Sequence, residues 1–132
     1  MIFVDTSFWI ALRMPSHGHH REVAPLLRSV GDTQLITSNH VRGETWTFLQ
    51  RRAGHPGAVA CLEAMDASPR LDVVHIPEDM EAVALAWLRR HDERGYSLVD
   101  ATSFALMRSM KIKEGLAFDG DFTAAGFREL RA

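Results

Sequence analysis

The alternation of short apolar runs with longer helical segments is the feature that most constrains the fold of this chain. The run from Ile2 to Val4 is apolar throughout, which is typical of a strand buried on both faces, and it stops at Asp5. Four further strands are predicted, at residues 34–37, 71–76, 115–118 and 127–130. Strands that alternate with helices imply right-handed crossovers, so we expect an α/β fold with a mostly parallel sheet covered on both faces.

Helix caps and breakers divide the segments between these strands. Helices are predicted to begin near residues 7, 19, 38, 56, 77 and 97. Pro25 implies a kink or a restart in the second helix, and Gly54 separates the third helix from the fourth. The chain has 132 residues and 46% hydrophobic content, which is enough for one compact domain with a core and too little for two. We therefore expect residues 1–132 to form a single domain.

Composition excludes several classes of protein. The single cysteine, Cys61, rules out an internal disulfide framework and a cysteine-rich zinc site, and it fits a reducing cytosol. The apolar N-terminus has no basic leader and the other apolar runs are too short to span a membrane, so we expect a soluble, unprocessed, cytoplasmic protein. A net charge of -2 argues weakly against nucleic acid, yet 13 of the 15 basic residues are arginine, which grips phosphate well.

Two aspartates follow predicted strands, at the edge where open parallel sheets bind ligands. These are Asp5, after the first strand, and Asp119, after the fourth. Asp5 has an alternative role as the cap of the helix that follows it. Asp121 could likewise be the N-cap of a short helix that ends near Gly126, whereas Asp119 has no such local explanation.

Two further acids lie on the apolar sides of predicted helices. Glu44 lies beside a stripe that includes Phe48, and exposure at the edge of this stripe is the alternative interpretation. Asp100 aligns with Phe104 at helical spacing. Asp100 also forms the S-x-x-D capping box with Ser97, which is a sufficient structural explanation by itself.

The four acids at positions 5, 44, 100 and 119 are expected to converge. Two lie at strand ends, and the other two lie on helix faces that pack against the same sheet. Carboxylates a few ångströms apart repel, so they either take up protons or bind a hard divalent cation through oxygen. Mg²⁺ or Mn²⁺ is the natural occupant, and the accessible chemistry is attack of an activated water on a phosphate.

Four motifs occur in a fixed order along the chain. They are V-D-T-S-x-x-x-A at residues 4–11, the helical Glu44, S-x-x-D-A-T-S-F at 97–104 and F-D-x-D-F at 118–122. Each is weak alone, but the ordered set covers essentially the whole chain and resembles a PIN domain. It is most similar to the VapC toxins of bacterial toxin–antitoxin pairs.

The resemblance implies an α/β/α sandwich with a five-stranded sheet in the order 3-2-1-4-5, and a Mg²⁺- or Mn²⁺-dependent endoribonuclease. The residues that match the acidic metal-binding and catalytic cluster of the family are Asp5, Glu44, Asp100 and Asp119. Asp121 matches an accessory acid, and the hydroxyls of Thr6 and Ser7 can orient the metal, its water or a phosphate. The implied partners are a tRNA, rRNA or mRNA substrate, a VapB-type antitoxin and a second copy of the chain in a homodimer.

Other functions fit the sequence less well. The segment LAFDGDFT at residues 116–123 resembles the opening motif of dehalogenase-type phosphatases, but only nine residues follow Thr123 and that fold needs more. A phosphoacceptor receiver domain expects adjacent acids after the first strand and a lysine after a late strand, whereas Lys111 and Lys113 precede the fourth strand. A catalytically silent PIN-like binding module and a non-toxin PIN nuclease remain alternatives.

Basic and aromatic side chains give weaker signals. The candidate phosphate contacts are Arg13, Arg42, Arg51, Arg52 and Arg108. Arg89 and Arg90 are interpreted as a solvated helix face. The histidines of H-G-H-H, at positions 17, 19 and 20, are assigned no role, because solvated histidines are commoner than a transition-metal site. The three tryptophans are interpreted as core or dimer contacts rather than platforms for RNA bases.

Overall fold

A five-stranded sheet with helices between its strands is formed by residues 1–132, all of which the computed structural model describes. The strands are β1 (Ile2–Val4), β2 (Leu35–Ser38), β3 (Leu71–Val74), β4 (Glu114–Leu116) and β5 (Arg128–Glu129). The helices are α1 (Thr6–Arg13), α2 (His20–Val30), α3 (Asn39–Ala67), α4 (Glu78–Arg90), α5 (Leu98–Ser109) and α6 (Asp121–Ala124). No helix combines the length and the apolar character needed to cross a membrane.

All neighbouring strands are parallel, and their order is β3-β2-β1-β4-β5. The predicted α/β fold and the predicted strand order are therefore confirmed. β1 lies at the centre of the sheet, where Phe3 pairs with Ile36 on one side and with Gly115 on the other. All three residues of β1 are buried, and full burial of a side chain such as that of Phe3 stabilises the fold by about 1.5–3 kcal/mol. The carboxyl end of this strand delivers Asp5 to one edge of the sheet.

Gly54 divides α3 into two helical halves, as predicted. Its backbone angles are φ 79° and ψ 172°, a left-handed region that favours glycine, and Pro56 follows two residues later. The half of α3 before Gly54 carries Glu44. A kink or a restart is predicted at Pro25, and the restart is wrong, because α2 runs from His20 to Val30 with this proline inside it.

Three strands are shorter than predicted: β5 spans Arg128–Glu129 rather than 127–130, and β3 and β4 end early, where backbone groups bond to side chains. The sequence predicts a third strand that reaches Ile76, but the N–H of Ile76 donates to Oδ1 of Asn39 at 2.8 Å. It predicts a fourth strand that reaches Phe118, but the N–H of Phe118 donates to Oγ of Ser7 at 3.0 Å. The chain therefore leaves the sheet at Leu116, before it reaches the aspartates.

Candidate metal centre and active site

Three aspartates come together beside the carboxyl end of the sheet. The ligand oxygens of Asp100, Asp119 and Asp121 lie within 4.8 Å of one another, a spacing suited to one divalent cation. Asp100 lies in the first turn of α5, Asp119 follows β4, and Asp121 is the first residue of α6. Asp5 and Glu44 fall outside this set of three, although both are predicted to belong to the metal site. Below, "the acidic cluster" means Asp5, Asp100, Asp119 and Asp121.

Asp5 is both a helix cap and a buried member of the acidic cluster. Its Oδ2 accepts hydrogen bonds from the backbone N–H of Ser7 at 3.1 Å and from the Ser7 hydroxyl at 2.7 Å. Only 2% of the residue is exposed. Burial, followed by the negative charge of Asp119, raises the pKa of Asp5 to about 8. Without a cation, this carboxyl therefore holds a proton near neutral pH.

Asp100 completes the predicted capping box. Its Oδ2 accepts from the N–H of Ser97 at 2.9 Å, and its own N–H donates to Ser97 Oγ at 3.0 Å. The residue is 8% exposed. Burial raises the pKa of Asp100, and the charges of Asp121 and Glu44 raise it further. The same side chain therefore starts the helix and faces other acids.

Asp119 and Asp121 are linked to each other, and the predicted capping role of Asp121 is wrong. The N-cap residue of α6 is Gly120, at φ 81°, and Asp121 is the first helical residue. Oδ1 of Asp119 accepts from the N–H of Asp121 at 3.1 Å, so Asp119 does have a local role. Burial, with the charges of Asp121 and Asp100, raises the pKa of Asp119 to about 6.

An arginine that is not among the predicted site residues reaches this pair. Arg94, in the loop between α4 and α5, donates from Nε to Oδ1 of Asp121 at 2.8 Å. One of its terminal nitrogens lies 3.5 Å from the carbonyl oxygen of Asp119. Arg94 and Asp121 are 27 positions apart in the sequence, and no motif between them signals this contact.

Each aspartate of the acidic cluster accepts protein hydrogen bonds through one carboxylate oxygen. The engaged atoms are Oδ2 of Asp5, Oδ2 of Asp100, Oδ1 of Asp119 and Oδ1 of Asp121. The second oxygen of each side chain accepts no hydrogen bond from the protein. These donors fix the orientation of the carboxylates and leave one oxygen of each available to a cation or to water.

Glu44 lies next to the acidic cluster rather than within it. The half-buried side chain accepts no hydrogen bond from the protein, and it lines a hollow of about 780 Å³ that Val99 also borders. Its charge contributes to the raised pKa of Asp100, the residue after Val99. Glu44 therefore borders both this hollow and the acids.

The neighbouring hydroxyls of Thr6 and Ser7 have different surroundings. Ser7 Oγ donates to Asp5 and accepts from the N–H of Phe118, so it joins the segment after β1 to the segment after β4. Thr6 Oγ1 is buried and has no hydrogen-bond partner in the protein. Ser7 is thus a positioning group for the cluster, whereas Thr6 makes no comparable contact.

The predicted phosphate-binding arginines lie in different places. Arg108 lines a hollow with Met1 and Lys111, beside the amino ends of β1 and β4, and its guanidinium lies 5.2 Å from the ring centre of Phe127. Arg13 is the last, exposed residue of α1. Arg42 lies in the first turn of α3 but does not line the hollow next to Glu44. Arg51 and Arg52 do line that hollow.

The histidines near α2 make local structural contacts. The ring of His19 stacks on Phe118 with 4.5 Å between centroids, and its Nδ1 lies 2.8 Å from Oε1 of Glu22. His20 Nδ1 lies 2.7 Å from the carbonyl oxygen of Ala11. These contacts account for both rings without a metal ion.

Comparison with known proteins places this geometry in a family. The model of the PIN domain matches residues 2–128. The chain is 53% identical over 131 residues to the 23S rRNA-specific endonuclease VapC20 of Mycobacterium tuberculosis, in strains CDC 1551 / Oshkosh and ATCC 25618 / H37Rv, covering 99% of this chain and 98% of the relative. The crystal structure of M. tuberculosis VapC20, described as a sarcin–ricin loop cleaving toxin, matches with a TM-score of 0.94 and 52% identity over the whole of both chains. With its sheet order, its converging aspartates and these matches, the chain belongs to the PIN domain family.

Proposed function

We propose that this chain is a divalent-metal-dependent endoribonuclease, the toxin of a VapBC-type toxin–antitoxin pair, and that it cleaves 23S rRNA in the sarcin–ricin loop. The observation that carries the proposal is the set of three aspartates within 4.8 Å, each with one oxygen free of protein hydrogen bonds. The substrate is proposed from the relative that is 53% identical over nearly the full length of both chains.

The donor set fits a hard cation. All the side chains offered are carboxylates, the ligands that Mg²⁺ and Mn²⁺ prefer, and no cysteine or histidine lies among them. Asp100, Asp119 and Asp121 would hold the ion, with Asp5 and Glu44 as further acids beside it. A bound Mg²⁺ or Mn²⁺ supplies polarisation of the phosphate and activation of the attacking water.

The protein's own groups prepare this site in three ways. Ser7 holds the carboxyl of Asp5, and the capping box holds that of Asp100, so neither side chain has to be ordered when substrate arrives. Arg94 engages Asp121 through Nε and the carbonyl oxygen of Asp119 through one terminal nitrogen, and because a guanidinium has five N–H donors, others are available to a phosphate oxygen. Burial leaves little water around Asp5, which strengthens electrostatic interactions there.

The partners follow from the same proposal. A VapB-type antitoxin is expected to bind this chain and block the acidic cluster, and the chain is expected to form a homodimer. We also propose that residues 1–132 act as one PIN domain, since a single sheet and its helices include the whole segment that carries the site.

The test is a mapped cleavage reaction. Purified protein is incubated with ribosomes and Mg²⁺ or Mn²⁺, and new RNA ends are located by primer extension along 23S rRNA. We expect one cut within the sarcin–ricin loop, and none in excess EDTA or with the Asp119→Asn variant, because a neutral amide binds Mg²⁺ poorly. Undiminished cleavage in EDTA would contradict the metal mechanism. Cuts scattered over unrelated RNA would contradict the substrate, and RNA binding without any cleavage would support the silent-module alternative.

A further inference from the structure

We propose that the half of α3 before Gly54 carries a binding groove for single-stranded RNA, which holds the strand on one side of the scissile phosphate. The inference rests on the proposed nuclease function, because it assigns the groove to the same substrate. The groove is the hollow of about 780 Å³ next to Glu44. We call this hollow the α3 groove. Six of its nine lining residues are Gly43, Glu44, Phe48, Arg51, Arg52 and Val99, and the other three are Asn39, His40 and Thr47.

One face of a helix builds most of this groove. Positions 44, 48, 51 and 52 recur at spacings of three and four residues, so their side chains share a face of α3. Arg51 and Arg52 lie about two turns beyond Glu44, or about 11 Å along the axis at about 1.5 Å per residue. The groove therefore has an acidic end at Glu44 and a basic end at the two arginines.

The two arginines at the basic end of the groove are suited to binding an RNA backbone. Arg51 and Arg52 are exposed, and neither forms an ion pair with an acid of the chain. The guanidinium of Arg52 lies 5.2 Å from the ring centre of the half-buried Phe48, a contact that limits its motion. Guanidinium groups without an acidic partner can bind the charged phosphates of a strand, and an aromatic ring beside them can stack on its bases.

The acidic end meets the catalytic site. Val99, in the wall of the groove, directly precedes Asp100, and the charge of Glu44 acts on Asp100. A strand that lies in the groove would thus have one phosphate near the acids while neighbouring phosphates lie beside the arginines. This continuity favours the RNA substrate over a separate ligand.

Gly43 lines the groove and has open space beside it. A Cβ added at this position would meet no atom within 4 Å, and the residue has ordinary helical geometry. A larger side chain there would enter the groove without backbone strain. This offers a test in which the groove is filled and no charge is removed.

The first experiment removes the two arginines. Binding of a fluorescently labelled, unstructured single-stranded RNA is measured by anisotropy at several salt concentrations, in EDTA so that no cleavage occurs. Arg51→Ala/Arg52→Ala should weaken binding about tenfold or more, and should reduce the slope of log affinity against log salt by about 0.7 for each phosphate that the variant no longer neutralises. Arg89→Ala/Arg90→Ala is the matched control, since it removes an exposed arginine pair outside the groove and should leave both quantities unchanged.

The second experiment fills the groove. Gly43→Gln should weaken RNA binding while its thermal midpoint stays equal to or above that of the wild type, because glutamine favours helix more than glycine does. Phe48→Leu should weaken binding without changing the salt slope, since a base-stacking contact carries no charge.

The outcomes separate this inference from the proposed function. Equal RNA affinity and salt slope in the wild type and in the double arginine variant would overturn the groove, even if the wild type cleaves 23S rRNA. Weaker binding by the arginine and Gly43→Gln variants would support the groove even if the wild type cleaves nothing, and in that case the nuclease proposal alone would fail. Where the wild type does cleave, we expect the groove variants to raise KM far more than they lower kcat.

Discussion

Arg94 donates a hydrogen bond from Nε to Oδ1 of Asp121 over 2.8 Å, and this contact ties the loop between α4 and α5 to the acidic cluster. The side chain is 42% exposed, so water screens the pair in part. The hydrogen bond and charge of Asp121 raise the pKa of Arg94, which stays a cation throughout. The positive charge of Arg94 thus lies where a divalent cation is expected to bind. Arg94 and the cation therefore compete for the aspartates of the acidic cluster.

Replacing Arg94 should change metal binding. Arg94→Ala removes the competing charge, so we expect the Kd for Mg²⁺ to fall several-fold, as measured by calorimetric titration. Arg94→Lys keeps the charge and should stay close to the wild type. Weaker Mg²⁺ binding by Arg94→Ala would instead mean that orienting Asp121 matters more than repulsion. In cleavage assays both variants should be slower, because neither has the guanidinium fork.

Replacing Asp5 should separate activity from stability. Asp5→Asn removes a carboxylate from the cluster and should abolish cleavage, whereas asparagine can still cap α1. Because the buried carboxyl has its pKa raised to about 8, the neutral amide should also raise the thermal midpoint of the metal-free protein at about pH 8. Asp66→Asn, an exposed position on α3, is the control and should change neither quantity. Unfolding of Asp5→Asn would contradict the expected stability, and cleavage by the folded variant would contradict the expected loss of activity.

The stability of the metal-free protein should fall as the pH rises. The pKa values of Asp5 and Asp119 in the folded chain, about 8 and about 6, lie above their usual value of 3.8, so the folded chain binds more protons than the unfolded chain. The free energy of unfolding should therefore decrease between about pH 4 and about pH 8, by about 1.4 kcal/mol per pH unit for each proton retained.

Denaturant titrations with and without Mg²⁺ check this pH dependence. Bound Mg²⁺ favours the ionised carboxylates, so its stabilising effect should be larger at high pH than at low pH. A metal-free protein that becomes more stable from about pH 5 to about pH 8 would be inconsistent with protonated acids in the cluster. The Asp5→Asn variant should show a shallower dependence than the wild type.

Two adjacent hydroxyls should respond oppositely to removal. Ser7→Ala leaves the N–H of Phe118 without its acceptor and removes the hydroxyl bond to Asp5, although the backbone N–H of residue 7 still donates to that carboxylate. We therefore expect a loss of about 1–3 kcal/mol in the free energy of unfolding and a lower kcat. Thr6→Val replaces a buried hydroxyl that has no protein partner, and stability should stay equal or rise. Chemical denaturation of both variants, side by side, measures the difference. A larger loss for Thr6→Val than for Ser7→Ala would refute this assignment of roles.

The fold was predictable because local sequence and tertiary packing agree. The apolar run of β1 could be buried only in the middle of a sheet, and the S-x-x-D sequence at Ser97 forms the capping box that it predicts. Strand ends were less predictable, since they depend on contacts between distant residues. The N–H of Ile76 donates to the side chain of Asn39, which is 37 residues away, instead of extending β3. No local sequence pattern predicts this contact.

The acids were predictable, but their arrangement was not. Sequence patterns indicated Asp5, Asp100 and Asp119 because each combines a strand end or a helix face with apolar neighbours. They ranked Glu44 above Asp121, whereas Asp121 completes the group within 4.8 Å and Glu44 borders it. The turn at Gly120, with φ 81°, places Asp121 beside Asp100 and Asp119. From the sequence alone, a capping role was the simpler explanation for an acid at the start of a short helix.

The single free oxygen on each aspartate bears on which ion the cluster accepts. Each aspartate would offer its free oxygen to an ion most readily, because the other oxygen already accepts hydrogen bonds from Ser7, from Ser97, from the backbone of Asp121 or from Arg94. Ca²⁺ takes about six to eight oxygens and often grips a carboxylate by both, whereas Mg²⁺ accepts single oxygens in an octahedron completed by water. The five hydrogen bonds on these oxygens would therefore favour Mg²⁺ over the larger Ca²⁺.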